Sequence, residues 1–575
     1  MKSVHLKKYK EKDISTSSTF LLKGAFLFLF LLLIGFYEYK GFKKGGVGFP
    51  MDDPYIHLNL ARSFSQGQGF SLNPPHQTAT STSFLWTVII SLIFLITKNP
   101  IIPLHILGII LTILASFILY LLSLNLFKSR LVAISSFGLF LLEWHTIWFA
   151  ISGMEISLFV LLLLFSFLLF VKNGCSIKTG IFVGLLSITR PEGSILFFLF
   201  LIPFLYKKSI PKGYVLSFLL CISPVVLFNL IASGRPLPQT FYAKYLYYHQ
   251  IMANPMSSFF VEVLKYFFAS HLLVLAPFFL LSIFIYQNKE IRTMQGFFFL
   301  LITAYAIVIP HLYVYGRYIV PSIVILLLLG IKTAYSLLKK RFFYFLALCS
   351  LVFLCFAYLR VDTYMWWRNA ITTGQVKAGK WLYSHTPKAA RVASHDIGAI
   401  VYYGSRYIID TLGLGTKETI PMFRDENALL RLLKKEKIDY IVEYPVVHPM
   451  ITGLPPEELR LIRTFVVKNP LFSWTFCIWE TSWGESHYYK GLGFLRNNDA
   501  KSAKDEFLKA VRINKEDFLS YFMLGDILKN QGDFKNALNY YKIGLENLKK
   551  LEKEGISVNR EEIERIEAMV KSGSF

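Results

Sequence analysis

Two adjacent carboxylates, Asp52 and Asp53, stand in the stretch Met51-Asp52-Asp53-Pro54-Tyr55, just beyond the first long apolar run of the chain. A carboxylate placed there can take a proton from an incoming hydroxyl, the work of a general base. Acidic groups at a membrane edge are costly unless they are solvated, capped or functional. Capping is the structural alternative: Asp53 followed by Pro54 reads as the start of a helix over 55–65. It accounts for one aspartate and leaves the other. His57 follows Asp53 by one turn of that helix, and Arg62 lies further along it.

Other polar clusters recur between apolar runs. Glu155 ends Ser152-Gly153-Met154-Glu155, and Arg190 and Glu192 flank a proline in Thr189-Arg190-Pro191-Glu192-Gly193. Tyr242 and Lys244 close the segment that opens at Arg235-Pro236, and Arg317 lies in Tyr315-Gly316-Arg317-Tyr318. Each has a plainer explanation. Glu155 could cap a helix, Arg190 could pair with Glu192, and Lys244 and Arg317 could be anchors that snorkel to lipid headgroups. Together they make a cavity with carboxylates on one side and cations on the other. Such a cavity suits a lipid donor bearing a phosphate. Lys244, Arg317 and Arg190 would hold the leaving phosphate, while a carboxylate would take the proton. His145, His311 and His395 are scattered, show no metal-ligand spacing and read as structural, so no metal site is expected.

Positioning these groups falls to a chain that is 54% hydrophobic and carries 53 phenylalanines among 575 residues. That composition excludes an ordinary soluble globule and points to a polytopic membrane protein. The net charge of +24 does not require nucleic acid, because the lysines and arginines sit mostly in short loops between apolar runs, the positive-inside pattern. Of five cysteines, Cys175, Cys221, Cys349 and Cys355 lie within or beside apolar segments and Cys477 is alone in the polar C-terminal part. Neither a disulfide there nor a metal-type spacing is expected. The basic stretch Lys7 to Lys12 precedes an apolar run from Ala25 to Tyr37 with no small-residue cleavage site after it. This reads as a retained first helix.

Eleven spans are expected, over 20–38, 103–126, 131–150, 154–171, 177–189, 193–206, 213–232, 270–286, 297–314, 318–338 and 342–360. They place Lys7–Lys12, Lys128 with Arg130, Lys172 with Lys178, Lys207-Lys208 with Lys212, Lys289 with Arg292, and Lys339-Lys340-Arg341 together on the cytoplasmic side. The segment 84–97 is too short to span and reads as an in-plane or re-entrant helix in a long first external loop, 39–102. Proline and glycine at 191–193 should break the chain between two short spans. The expected division is a cytoplasmic segment 1–19, a transmembrane domain 20–360, an α/β domain 361–482 outside the membrane, and helical repeats over 483–575. Arg391–Asp396, Arg406–Asp410 and Asp439–Glu443 read as strands that end on acidic residues. A 34-residue offset matches Gly491 to Gly525, Asp499 to Asp533, Ala503 to Ala537 and Phe507 to Tyr541, the period of tetratricopeptide (TPR) helix pairs. With two clear repeats, a further capping helix over 556–572 is expected.

In order along residues 20–440 stand Asp52-Asp53-Pro54-Tyr55-Ile56, Gln66-Gly67-Gln68-Gly69-Phe70, the Thr80-to-Trp86 stretch, Ser152–Glu155, Thr189–Gly193, Leu237–Lys244 and Ala393-Ser394-His395-Asp396-Ile397-Gly398. This series resembles the bacterial GT-C membrane glycosyltransferases, nearest to those similar to mycobacterial arabinofuranosyltransferases and more distantly to the protein mannosyltransferase and aminoarabinose transferase groups. The resemblance implies a GT-C-like helical membrane fold in the bacterial inner membrane. It implies transfer of a hexose or pentose from a polyprenyl-phosphate donor to a glycan, lipid or protein acceptor outside the cytoplasm, by an inverting displacement. It also implies that the first-loop aspartate, here Asp52 or Asp53, is the base and that Glu155 is the second acidic position. His395 and Asp396 enter the candidate set through their motif. Some relatives bind a divalent cation at the acidic loop, but too few ligands stand here to claim one. The repeat tail departs from the family pattern and suggests a protein partner.

Two other functions compete. A transporter or flippase should carry midplane charges and inverted repeats; Glu143 is the clearest mid-helix charge, and no repeated halves are visible. A membrane-anchored scaffold would use the repeats and leave the acidic pair unexplained.

Overall fold

The computed structural model describes residues 15–206, 209–251, 255–268, 270–311, 316–468, 473–553 and 560–572. Lys7–Lys12, Lys207-Lys208 and Tyr315, all used in the sequence reading, lie outside the described residues.

Helices stand on every segment expected to span. The first, α1 (Thr16–Gly45), is capped by Ser15, whose side chain accepts from Ser18 N. The first loop carries α2 (Asp53–Ser65) and α3 (Phe84–Phe94). The bundle continues with α4 (Ile101–Phe127), α5 (Arg130–Leu142), α6 (Trp144–Ala150), α7 (Ile156–Asn173), α8 (Ile177–Thr189), α9 (Ser194–Tyr206) and α10 (Lys212–Ser233). Two loop helices, α11 (Gln239–Ile251) and α12 (Pro255–Phe268), lead to α13 (Ala276–Ile285), α14 (Lys289–Val308), α15 (Val320–Leu338) and α16 (Phe342–Ile371). Among the described residues six helical runs are long and apolar enough to cross a membrane, with Val320–His385 counted as one run, or seven if the bent α5–α6 pair is one span. The chain is a multi-pass membrane protein. An eleven-span count further requires the shorter α8, α9 and α13 to cross and the Val320–His385 run to divide into α15 and α16.

The segment 131–150 is not the continuous helix expected. It bends by 60° at Glu143, whose backbone is extended and whose carboxylate accepts from Thr146 N, capping α6. Glu143 is therefore not a mid-helix charge; its side chain satisfies a helix end that the bend exposes.

Beyond α17 (Lys377–His385) and with α18 (Ala399–Gly404) and α19 (Glu426–Lys435) packed around it, a five-stranded sheet forms. Its strands are β1 (Arg391–Ser394), β2 (Tyr407–Asp410), β3 (Tyr440–Glu443), β4 (Leu459–Lys468) and β5 (Ser473–Thr481), in the order β2-β1-β3-β5-β4. The three expected strands are parallel to one another, and β5 runs antiparallel to β3 and β4. The β4–β5 hairpin was not expected. Arg460 and Arg463 interrupt its apolar pattern, yet both are held inside by acidic partners, Arg460 by Glu480 and Asp517 and Arg463 by Glu516. Ile56, Leu60, Phe70 and Leu72 of the first loop share one buried apolar cluster with Val392, Ile397 and Ile408 of the sheet region. Asn73 of the loop pairs with the open edge of β2, donating to Ile408 O at 2.7 Å and accepting from Ile408 N at 2.8 Å.

The C-terminal part forms two helical hairpins, α20 (His487–Arg496) with α21 (Ala500–Ile513) and α22 (Phe518–Asn530) with α23 (Phe534–Lys553), followed by α24 (Arg560–Ser572). The repeat positions are the packing positions. A Cβ on Gly491 would meet the Phe507 ring at 2.7 Å, and one on Gly525 would meet the Tyr541 ring at 2.5 Å. Asp499 and Asp533 accept from the backbone N–H three residues on, which starts the second helix of each pair.

Candidate active site

Successive helix residues diverge by about 100°, so the acidic pair at the start of α2 splits. Asp53 faces a cavity of about 380 Å³ between the first loop, the ends of α7, α8 and α14, and α11. Its Oδ2 accepts from Arg317 Nη1, and Arg317 Nη2 donates to Tyr318 Oη at 2.9 Å. Burial alone would raise the Asp53 carboxyl, but the Arg317 guanidinium, with Lys244 and His57, holds it well below the usual carboxylate range. Lys244 lines the same cavity. Half-buried on α11, its ammonium has no hydrogen-bond or salt-bridge partner among the described residues. Among the described residues that line the cavity, it is the cation left open to a ligand.

A second charged group closes the far side. The break at 189–193 forms as the proline and glycine predict, with a short 3₁₀ turn Pro191–Gly193 between α8 and α9. It turns Arg190 inward. Its Nη1 donates to Glu155 Oε1 at 2.5 Å, its Nε to Glu192 Oε1 at 2.5 Å, and its Nη2 to Tyr305 Oη at 2.9 Å. Two carboxylates thus neutralise Arg190, so it is less available to a phosphate than Lys244. His57 Nε2 lies 3.8 Å from Glu155 Oε2, its Nδ1 meets Thr87 Oγ1 at 3.1 Å, and burial pushes the imidazole toward the neutral form. Ile195, Leu237, Phe241, Val308 and Ile309 make the cavity's apolar wall. A cavity lined by both apolar and charged side chains can take a ligand that carries a hydrocarbon chain and a charged headgroup.

Asp52 does not line this cavity. It occupies the N-cap position of α2 without capping it, and it reaches across to the first turn of α18. There it accepts from Gly398 N at 2.6 Å and Ala399 N at 2.8 Å. The approach is close enough that a Cβ on Gly398 would sit 2.1 Å from Asp52 O, so only glycine fits. Burial, and then the nearby Asp396 carboxylate, push the Asp52 carboxyl up to about 8. Asp396 accepts from Gln375 Nε2 at 2.7 Å and lies 3.5 Å from His395 Nε2. His395 also faces Glu443 at 3.8 Å, and Glu443 meets His448 at 2.9 Å. Against burial, Asp396 and then Glu443 raise the His395 imidazole to about 9.

Of the residues singled out in the sequence, Asp53, His57, Glu155, Arg190, Glu192, Lys244 and Arg317 converge on one cavity. Asp52, His395 and Asp396 form a separate junction with the sheet. Arg62 is structural, donating to Tyr402 O at 2.9 Å and Asn59 Oδ1 at 2.6 Å. Tyr242 lies under the Arg235 guanidinium, 4.6 Å from it, outside the cavity lining. The expectation that His145 is isolated is corrected: it lies against Glu143 and near His271, in a group whose atoms are spaced as metal ligands are. His271 stands in a distant segment, so no local spacing could announce it. Tyr305, which bridges Arg190 and Glu192, was also missed, because a lone tyrosine in an apolar helix gives no pattern. A divalent cation at the acidic loop does not fit the residues present: Asp53 is committed to Arg317, Glu155 to Arg190, and both Asp52 oxygens to amide N–H groups.

Two solved structures of ArnT from Cupriavidus metallidurans resemble this chain. The structure bound to undecaprenyl phosphate matches with a TM-score of 0.50 at 11% identity, covering 80% of this chain and 98% of that one. The apo structure matches with a TM-score of 0.51 at 10% identity and the same coverage. At such identity the likeness shows the fold, which is that of ArnT, a GT-C glycosyltransferase. Residues 366–488, the end of α16 through the sheet, match a family described as a domain of unknown function (DUF8728). No curated protein sequence matches the chain.

Proposed function

We propose that this protein is a membrane glycosyltransferase that moves a sugar from a polyprenyl-phosphate-linked donor to a hydroxyl-bearing glycan, lipid or protein acceptor on the extracytoplasmic side. The observation that carries the reading is the meeting of Asp53, Arg317 and Lys244 in one cavity that also has apolar lining. The binding of undecaprenyl phosphate by ArnT, a protein of the same fold, supports it.

The chemistry follows from what each group offers. An acceptor O–H gives its proton to the Asp53 carboxylate. The acceptor oxygen bonds to the anomeric carbon as the bond from that carbon to the phosphate oxygen breaks, inverting the centre. The bonding pair leaves on the phosphate, whose growing charge Lys244 and Arg317 meet. Arg317 also has a second duty, because the arriving phosphate competes for the guanidinium that Asp53 holds in the resting site. Releasing Asp53 from it raises the basicity of the carboxylate when the donor is bound. Arg190, Glu155, Glu192 and His57 would position the sugar with their hydrogen bonds.

The same reading places the N-terminus in the cytoplasm and the sheet outside, separates a transmembrane body from an α/β domain at about residue 361, and takes the helical hairpins as TPR-like units that dock a protein partner. The test is donor-dependent labelling in membranes made with and without this protein. Labelled glycan, lipid or protein should appear only with the wild-type chain and disappear with Asp53→Asn. Equal labelling in all three preparations would reject the proposal.

A further inference from the structure

Glu143, His145 and His271 form a second cluster of chemically capable groups, remote in sequence and not part of the cavity lining. All three side chains are buried, at 1%, 0% and 1% exposure. Their inward atoms converge on one point. Glu143 Oε1 lies against His145 Nδ1 and 2.9 Å from His271 Nε2, and the candidate ligand atoms all fall within 4.8 Å of one another. Two of the three outward atoms are held as those of metal ligands usually are. Glu143 Oε2 accepts from Thr146 N at 3.0 Å, and His145 Nε2 meets Tyr266 Oη. His271 Nδ1 has no hydrogen-bond partner among the described residues. Around them stand rings: Trp144 stacks on His145 at 3.6 Å, and Phe353 and Phe356 flank His271 at 4.9 and 5.1 Å.

We propose that Glu143, His145 and His271 bind one divalent cation of the zinc class. Two imidazole nitrogens and one carboxylate oxygen are a recurrent zinc ligand set, and bonds of about 2.0–2.2 Å would need the three atoms to move apart to admit the ion. A hydrogen-bonded trio explains the contacts between the three groups. The same spacing, three candidate ligand atoms within 4.8 Å of one another with the Glu143 and His145 outer atoms separately engaged, is also what a shared ion requires. The ion would tie the α5–α6 bend to the turn ahead of α13 and, through His145, to Tyr266 of α12. The Tyr266 hydroxyl sits where a Cβ on Gly316 would lie, at 2.6 Å. Arg317 follows, so occupancy would also steady the cation that faces Asp53.

The test uses the full-length protein in detergent, stripped with a chelator and then titrated with Zn²⁺. About one Zn²⁺ per chain should bind, with a rise in the thermal midpoint. His271→Ala and Glu143→Gln should lose both the stoichiometric binding and the rise. His271→Cys should keep them, because a thiolate ligates zinc but does not replace an imidazole N–H donor to Glu143. His311→Ala, at a partly buried histidine elsewhere, should change neither. If the alanine variant does not fold, X-ray absorption of the zinc-loaded wild type decides, and a shell of imidazole and carboxylate ligands is expected. Substoichiometric binding by the wild type, a sulfur-containing shell, or unchanged binding in a folded His271→Ala variant would each overturn the site.

Discussion

At the residue scale the acidic pair divides its labour. Asp53 stands in the cavity against Arg317, while Asp52 ties the first loop to α18. Asp53→Asn should therefore slow turnover by about 10²–10⁴-fold, the usual range for a lost general base, with donor binding largely kept. Asp52→Asn should cost far less turnover than Asp53→Asn, since Asp52 lies outside the cavity and acts only through the junction, where the new NH2 cannot replace one of the two oxygens that accept from Gly398 N and Ala399 N. Steady-state kinetics of the two variants with one donor would check the contrast. For the leaving phosphate, Lys244→Ala should raise donor KM, because Lys244 is the open cation. Arg317→Ala should lower kcat as well, because the leaving phosphate loses the guanidinium that meets its growing charge. Arg317→Lys should recover only part, since one ammonium cannot hold both Asp53 and Tyr318 in a fork. Full recovery by lysine would favour a simple interfacial anchor. The sequence exposed most of this site, because carboxylates and arginines in an apolar chain are conspicuous. It did not show which aspartate faces the cavity, since that depends on the rotation of α2 against a sheet nearly 350 residues away.

At the element scale, the interface between the first loop and the sheet decides whether α2 is held in place. Gly398→Ala drives a Cβ into Asp52 O and should lower both the thermal midpoint and turnover, a loss that Asp53 itself does not explain. The same junction is pH-sensitive with a definite sign. The His395 imidazole is raised to about 9 in the fold against about 6.5 unfolded, so its contribution is complete below about 6.5 and fades as pH rises through 9. Asp52, raised to about 8, acts in the same direction, because its ionisation costs the folded state. Thermal midpoints measured from pH 6.5 to 9.5 should fall, and His395→Gln should flatten the slope. A flat wild-type profile would count against this coupling. Elements with one strong period were legible: the apolar helices, the β1–β3 strands and the repeated hairpins. The β4–β5 hairpin and the bend at Glu143 were not, because in both the deciding groups are buried charges whose partners come from elsewhere in the chain.

At the scale of the whole molecule, one end of the bundle carries the chemistry and the other carries the basic loops. Asp53, Glu155, Arg190, Lys244 and Arg317 line one cavity, and the first loop above it shares a core with the sheet. Lys128 with Arg130, Lys172 with Lys178, Lys289 with Arg292, and Lys339-Lys340-Arg341 fall in the intervening connections. Under the proposed function such basic loops stay in the cytoplasm, which would leave the cavity and the sheet outside. Cysteines placed at Gly67 and Asn497, both exposed, should then react with an impermeant thiol reagent in intact spheroplasts. One placed at Lys128, exposed at the end of α4, should react only after permeabilisation. The native cysteines would be replaced first, since Cys355 is exposed. Labelling of position 128 in intact cells with positions 67 and 497 silent would turn the molecule over and put the donor site in the cytoplasm. Labelling of all three would show that the segments between them do not cross as the basic loops demand.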